Sequence, residues 1–203
     1  LLLFFKKEVL SFLLEGRRMK IERLSIPDVL LITPPRFGDD RGYFSETYSA
    51  PKLAEAGITL AFVQDNQSFS RQKGTVRGLH CQVAPRVQGK LVRVLRGAIW
   101  DVAVDARPGS PTFGQYAAAT LTGDNGSQLW VPPGFLHGFC TLEPDTEVAY
   151  KVTDVYDRAA ERAVFWRDET LALPWPVSAQ DALLSEKDRV LPGWEAAAGW
   201  FAA

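Results

Sequence analysis

The chain has 203 residues, 46% of them hydrophobic, and its 23 Lys and Arg against 24 Asp and Glu leave a formal net charge of −1. That apolar content fills one core rather than two independent ones. The near-zero balance excludes a long-range field for gathering nucleic acid or an anionic membrane surface, so any anion must be held by local groups.

Residues 1–18, LLLFFKKEVLSFLLEGRR, differ from the rest of the chain: they are Leu- and Phe-rich, interrupted by charges, and helical in character. They precede the only methionine, Met19, which reads as the natural start. On that reading 1–18 is an upstream extension and 19–203 is one domain. A signal peptide is the competing reading, against which stand the missing basic n-region and small-residue cleavage site.

From Met19 onward, short apolar or alternating runs are punctuated by Gly, Pro, Asn and Asp, which predicts strands at 29–32, 43–48, 62–69, 75–82, 90–96, 98–106, 115–121, 128–131, 138–142, 147–152 and 163–166. A helix is predicted at 50–56, stopped by Gly57, and helix-and-loop character returns around 182–188. So many closely spaced strands imply an all-β sandwich or barrel. No apolar run reaches the roughly 18 residues of a membrane span. Two isolated cysteines, Cys81 and Cys140, suit neither a disulfide framework nor a thiolate zinc site and point to the reducing cytoplasm.

Alternation assigns side-chain directions. Over 98–106, Ile99, Asp101, Ala103 and Asp105 share one face, and Trp100, Val102 and Val104 the other. Asp101 and Asp105 are therefore either inward functional carboxylates or the solvated side of a strand, and Asp101 is taken as the one at or just behind a site. Over 147–152, Val148, Tyr150 and Val152 form an apolar face that should point inward.

The only two histidines stand in GTVRGLHCQ (His80) and WVPPGFLHGF (His137), among small and apolar residues that leave a ring reachable inside a barrel. A catalytic metal usually takes three or more His, Glu or Asp ligands. Here Gln82 occupies the place of a second imidazole two residues after His80, so metal-free acid–base chemistry fits better. The alternative for each histidine is a satisfied structural role. No G-x-x-x-x-G-K or G-x-G-x-x-G loop is present, so a diphosphate would have to be held by arginine forks.

The ordered segments FGDDRGYFSETY, FVQDNQSFS, GTVRGLHCQ, QGKLVRVLRGAIWDVAVDAR, GSPTFGQY, LWVPPGFLHGF and LLSEKD, from about residue 26 to 192, resemble the dTDP-4-dehydrorhamnose 3,5-epimerase family. The resemblance implies a cupin-type jelly-roll barrel, a homodimer, no cofactor or metal, and a dTDP-4-keto-6-deoxyhexose substrate. Such chemistry needs a base on one face of the sugar, an acid on the other, and a cation or donor at the enolate oxygen. His80 suits the base, since imidazole titrates near neutrality.

The resemblance assigns Asp188 to orient His80, Tyr150 as the opposite acid, Lys90 to the enolate, and His137 to the substrate. It nominates Arg41 and Arg77 for phosphate and substrate, Glu46, Gln64, Asp65 and Asn66 as polar contacts, Glu161 and Lys187 as outer contacts, and Tyr156 to stack on thymine. Bland readings stand beside these: a core tyrosine at 150, an edge or surface lysine at 90, a turn ion pair at Arg41, a turn tyrosine at 156. Strict alternation would put Arg77 and His80 on opposite faces, and Gly78 is the place where a bulge could reset the parity. Cys81 departs from the family pattern, in which an aromatic follows the histidine. A single-carbon epimerase, a non-catalytic sugar-nucleotide-binding cupin and, more distantly, a metal-dependent dioxygenase are the rival functions.

Overall fold

The computed structural model describes residues 18–200, so the extension expected to be helical lies, over 1–17, outside the described residues. The strands are β1 (Lys20–Arg23), β2 (Leu30–Thr33), β3 (Phe37–Asp39), β4 (Gly42–Phe44), β5 (Gln64–Ser70), β6 (Val76–Gln82), β7 (Lys90–Arg96), β8 (Ala98–Asp105), β9 (Tyr116–Thr122), β10 (Gln128–Val131), β11 (Phe135–Thr141), β12 (Thr146–Val152) and β13 (Glu161–Ala163). Helix α1 (Ala50–Glu55) and two 3-10 segments, Asp188–Val190 and Trp194–Gly199, accompany them. Among the described residues no helix is long and apolar enough to cross a membrane.

Two antiparallel sheets face each other. One has the order β1-β2-β10-β7-β12-β5, the other β13-β6-β11-β8-β9, and β3-β4 forms a separate hairpin. The inner faces meet in one apolar cluster, with Val92 and Val94 of β7, Leu129 of β10 and Val148 of β12 against Ile99 and Ala103 of β8 and Phe135 and Phe139 of β11. Alternation on β8 holds: Val102 and Val104 turn outward, under a cover of Leu171, Leu173, Trp194 and Ala197 from the C-terminal segment. Because both faces of this sheet are covered, β8 and β11 read as nearly continuous apolar runs. Helix α1 places Leu53 over the outside of the other sheet, against Leu30, Leu91 and Trp130. It ends as its sequence suggests, with Gly57 at φ +91° just beyond it.

Some predicted elements change extent. The strand expected at 43–48 shrinks to Gly42–Phe44, because it pairs only with the short β3 across the turn at Asp39–Gly42 and exposes its aromatic residues. The strand expected at 138–142 begins earlier, at Phe135, in register with Asp105 of β8. Residues 182–187 form no helix; Leu183 instead bridges in parallel to Thr75, at the start of β6. The strand expected at 163–166 is Glu161–Ala163, on the edge of the five-stranded sheet against β6.

Candidate active site

The site is organised by a defect in β6. His80 pairs with His137 of β11, yet Arg77 pairs with Phe139, so three steps on β6 match two on β11. The extra residue is a β-bulge, which turns Arg77 and His80 toward the same side. Gly78 lies there at φ +127°, and a Cβ on it would sit 2.5 Å from the Cα of Gly138. Only glycine fits that close approach, and both strands supply one where they touch.

The same inward face opens into a cleft of about 510 Å³ lined by Arg77, His80, Lys90, His137, Tyr150 and Asp188, among others. Asp188 comes from far along the chain. Backbone bonds between Leu183 and Gly74 and between Val76 and Leu183 tie the late segment to the start of β6. Ser185 Oγ then accepts from the Asp188 amide at 3.1 Å. His80 Nε2 lies 2.7 Å from Asp188 Oδ1, with 28% of the imidazole side chain and 6% of the carboxylate side chain exposed. Burial raises the Asp188 carboxyl, but the bond to His80 and its charge, then Ser185 and Lys187, outweigh this and hold it below the usual range.

A second pair stands next to the first. His137 Nε2 lies 2.7 Å from Asp101 Oδ1, and here both partners are buried. Burial pushes the His137 ring below its ordinary pKa, against the pull of Asp101. The solvated-strand reading of Asp101 and Asp105 does not hold, since both are 0% exposed. Their uses differ. Asp105 is bound by Arg107, Ser110 and Thr112 in a loop tie that holds its carboxyl at about 2.

Lys90 opens β7 between β10 and β12, so this lysine is enclosed rather than set on an edge. Its ammonium donates to the His80 carbonyl at 3.2 Å. Burial lowers its pKa, opposed by the nearby acidic groups of Cys81, Asp101 and Glu161. Tyr150 packs on the inner apolar cluster beside Val148, as parity predicts. Burial raises its phenol, with Arg77 pulling the other way.

An adjoining recess shares His80, Lys90 and Tyr150 and extends to Gln64, Asn66, Tyr156 and Glu161. Gln64 donates to Asn66 at 2.8 Å, the Tyr156 hydroxyl donates to Glu161 at 3.2 Å, and Lys187 pairs with Glu161 at 2.6 Å. Three nominated residues lie apart from both recesses in this chain. Arg41 pairs with Asp39 at the exposed β3-β4 turn, Glu46 pairs with Lys52 of α1, and Asp65 pairs with Lys151. Cys81 is buried in the outer cluster with Leu79, its thiol pushed up to about 12 by burial.

Sequence reasoning passed over Ser68, Phe139 and Ser185, all of which line the cleft. Ser68 had a signal: it continues the inward parity of Gln64 and Asn66 along β5. Its hydroxyl is buried without a hydrogen-bond partner among the described residues. Among those residues no group of three or more His, Cys, Asp and Glu side chains stands at metal-holding spacing.

The arrangement has counterparts among known proteins. The family model described as dTDP-4-dehydrorhamnose 3,5-epimerase matches residues 23–196. A dTDP-4-dehydrorhamnose 3,5-epimerase from Pseudomonas aeruginosa is 51% identical over 173 residues, covering 84% of this chain and 93% of the relative. The crystal structure of such an enzyme from Bacillus anthracis, with TDP and PPi bound, superposes with a TM-score of 0.84 at 49% identity, over 87% of this chain and 99% of that one. The Legionella pneumophila enzyme, solved in complex with dTDP-4-keto-L-rhamnose, gives 0.83 at 46% identity, over 87% and 93%. The fold is the all-β, cupin-type jelly roll shared by these structures. The chain therefore belongs to the dTDP-4-dehydrorhamnose 3,5-epimerase family.

Proposed function

We propose that the chain converts dTDP-4-dehydro-6-deoxy-D-glucose to dTDP-4-dehydro-L-rhamnose by inverting the two carbons that flank the C4 ketone. The observation that carries this reading is the 2.7 Å pair of His80 and Asp188 opening onto a cleft that also holds Lys90 and Tyr150. A carboxylate only accepts, so Nε2 carries the hydrogen toward Asp188 and Nδ1 keeps the lone pair that takes the α-proton. Asp188 also stabilises the imidazolium that results. The electron pair left on carbon delocalises onto the C4 oxygen, where the Lys90 ammonium meets the developing charge. Tyr150 delivers its phenolic proton to the other face of the same carbon, and solvent then reprotonates the phenolate while the imidazolium releases its proton. C3 and C5 are both α to the ketone, so one constellation serves both when the ring presents each in turn.

For the nucleotide, we assign Arg77 to phosphate and substrate, Gln64 and Asn66 to polar contacts in the adjoining recess, Glu161 and Lys187 to its rim, and Tyr156 to stacking on thymine. For Arg41, Glu46 and Asp65 the assignment to substrate rests on the family resemblance alone, as does the homodimer. The two unpaired, buried cysteines fit a cytoplasmic setting.

The test is turnover of dTDP-4-keto-6-deoxyglucose in heavy water, read by mass and NMR. The expected result is one solvent deuteron at C3 and one at C5. Deuteration at a single carbon would make this a mono-epimerase. Binding without any exchange would make it a binding protein.

A further inference from the structure

The pair formed by His137 and Asp101 is built like the base pair but enclosed, and it calls for its own explanation. Asp101 is 0% exposed, and its second oxygen, Oδ2, has no hydrogen-bond partner among the described residues. A buried carboxylate with a free oxygen is costly unless a positive charge stands near. Lining the two recesses with Lys90 are His80 and Cys81 from β6, His137 from β11, Tyr150 from β12 and Glu161 from β13, and Asp101 on β8 acts on Lys90 through its charge. Of those able to carry negative charge, Cys81 and Tyr150 are driven toward their neutral forms by burial, and Glu161 already holds Lys187 at 2.6 Å. Asp101 is left as the buried carboxyl group that opposes the lowering of the Lys90 pKa.

Its other oxygen has a second effect. By accepting from His137 Nε2 at 2.7 Å, it fixes the hydrogen on that nitrogen. In the neutral ring, the form that burial favours, Nδ1 then has no proton, and it has no partner among the described residues, on a ring that lines the cleft. A lone pair there recognises a donor. The substrate ketone has none to give, whereas the sugar hydroxyls do.

We propose that Asp101 is a positioning residue for the epimerisation: it holds His137 as an acceptor for a sugar hydroxyl and holds Lys90 as the cation for the enolate. This deepens the proposed function and rests on it for the identity of the sugar. The division of labour is definite: Lys90 meets the ketone oxygen and His137 meets a hydroxyl.

Two measurements test it. The chain has only two histidines, so nitrogen-15 labelling of histidine in the full protein gives two resolvable rings. His137 is expected as the neutral tautomer with its hydrogen on Nε2 across the working pH range; a hydrogen on Nδ1, or an imidazolium there, overturns the proposal whether or not the enzyme turns over. In Asp101→Asn the loss of the carboxylate makes Lys90 easier to deprotonate, so the alkaline limb of kcat/KM should move to lower pH, with a loss of about 10–100-fold at the optimum, by analogy with carboxylates that orient metal-bound histidines. A folded Asp101→Asn protein with the wild-type alkaline limb overturns it too. Absence of turnover in the wild type contradicts the proposed reaction instead, and the histidine spectrum then still decides the role of Asp101.

Discussion

The two histidine–aspartate pairs share one 2.7 Å geometry and sit on cross-strand partners, His80 of β6 and His137 of β11, yet their surroundings assign them opposite tasks. His80 keeps 28% of its side chain exposed, so its ring is within reach of solvent. His137 keeps 8%, and burial pushes its pKa down against the pull of Asp101, which favours the neutral ring. The carboxylates differ in the same sense. Asp188 arrives on a late loop latched to β6, while Asp101 is locked into a central strand of a sheet covered on both faces. On the proposed function, similar pairs serve as a base and a fixed acceptor, and solvent access is the main difference between them.

The largest expected effect breaks the first pair. On the proposed function, His80→Ala removes the group that accepts the carbon-bound proton, and kcat should fall by about 10²–10⁴-fold, the usual share of general base catalysis. Steady-state rates and deuterium wash-in at C3 and C5 should fall together.

A third buried aspartate sharpens the contrast, because it lies on the same face of β8 as Asp101 but pairs with Arg107 rather than a histidine. Its carboxyl is held at about 2, below its ordinary value, so its contribution is present above about pH 4 and is lost as pH falls toward about 2. Asp105→Asn should cost about 2 kcal/mol of folding stability at neutral pH and almost nothing near pH 2. Denaturant midpoints at the two pH values check this, and kcat should stay at the wild-type level.

The smallest effect tests the substrate contact proposed for the enclosed pair. A hydrogen bond to a neutral hydroxyl contributes about 0.5–1.5 kcal/mol. His137→Asn should therefore raise KM by up to about tenfold and leave proton exchange at the α-carbons detectable. A loss as deep as that of His80→Ala would erase the distinction between the pairs.

The architecture is largely legible in the sequence because alternation on β8 and β12 groups the residues that share a face; it points Tyr150 inward, whereas for Asp101 it leaves the inward and solvated readings open and burial decides. The strand predicted at 43–48 is too long, since a β-like composition does not say whether a partner strand exists; only β3 pairs there. Strict parity separates Arg77 from His80; Gly78 marks in the sequence where a bulge could reset it, and the register shows that bulge, but its partner Gly138 across the strands is a contact that one strand read alone does not contain. The Asp188–His80 pair spans 108 residues, and nothing local announces it; the family resemblance supplies it. Burial of Lys90 follows from its place between β10 and β12, which strand order decides and sequence order hides. Asp65 shows the reverse limit: the motif around it resembles a substrate contact, while its side chain here points to Lys151.

The most direct test of the central claim, a base and an acid acting from opposite faces of one carbon, is Tyr150→Phe incubated with the 4-keto sugar nucleotide in heavy water. His80 should still remove and return a proton on its own side, so deuterium should enter at the α-carbon while the configuration is retained. Inversion at the wild-type rate in that variant would contradict the account.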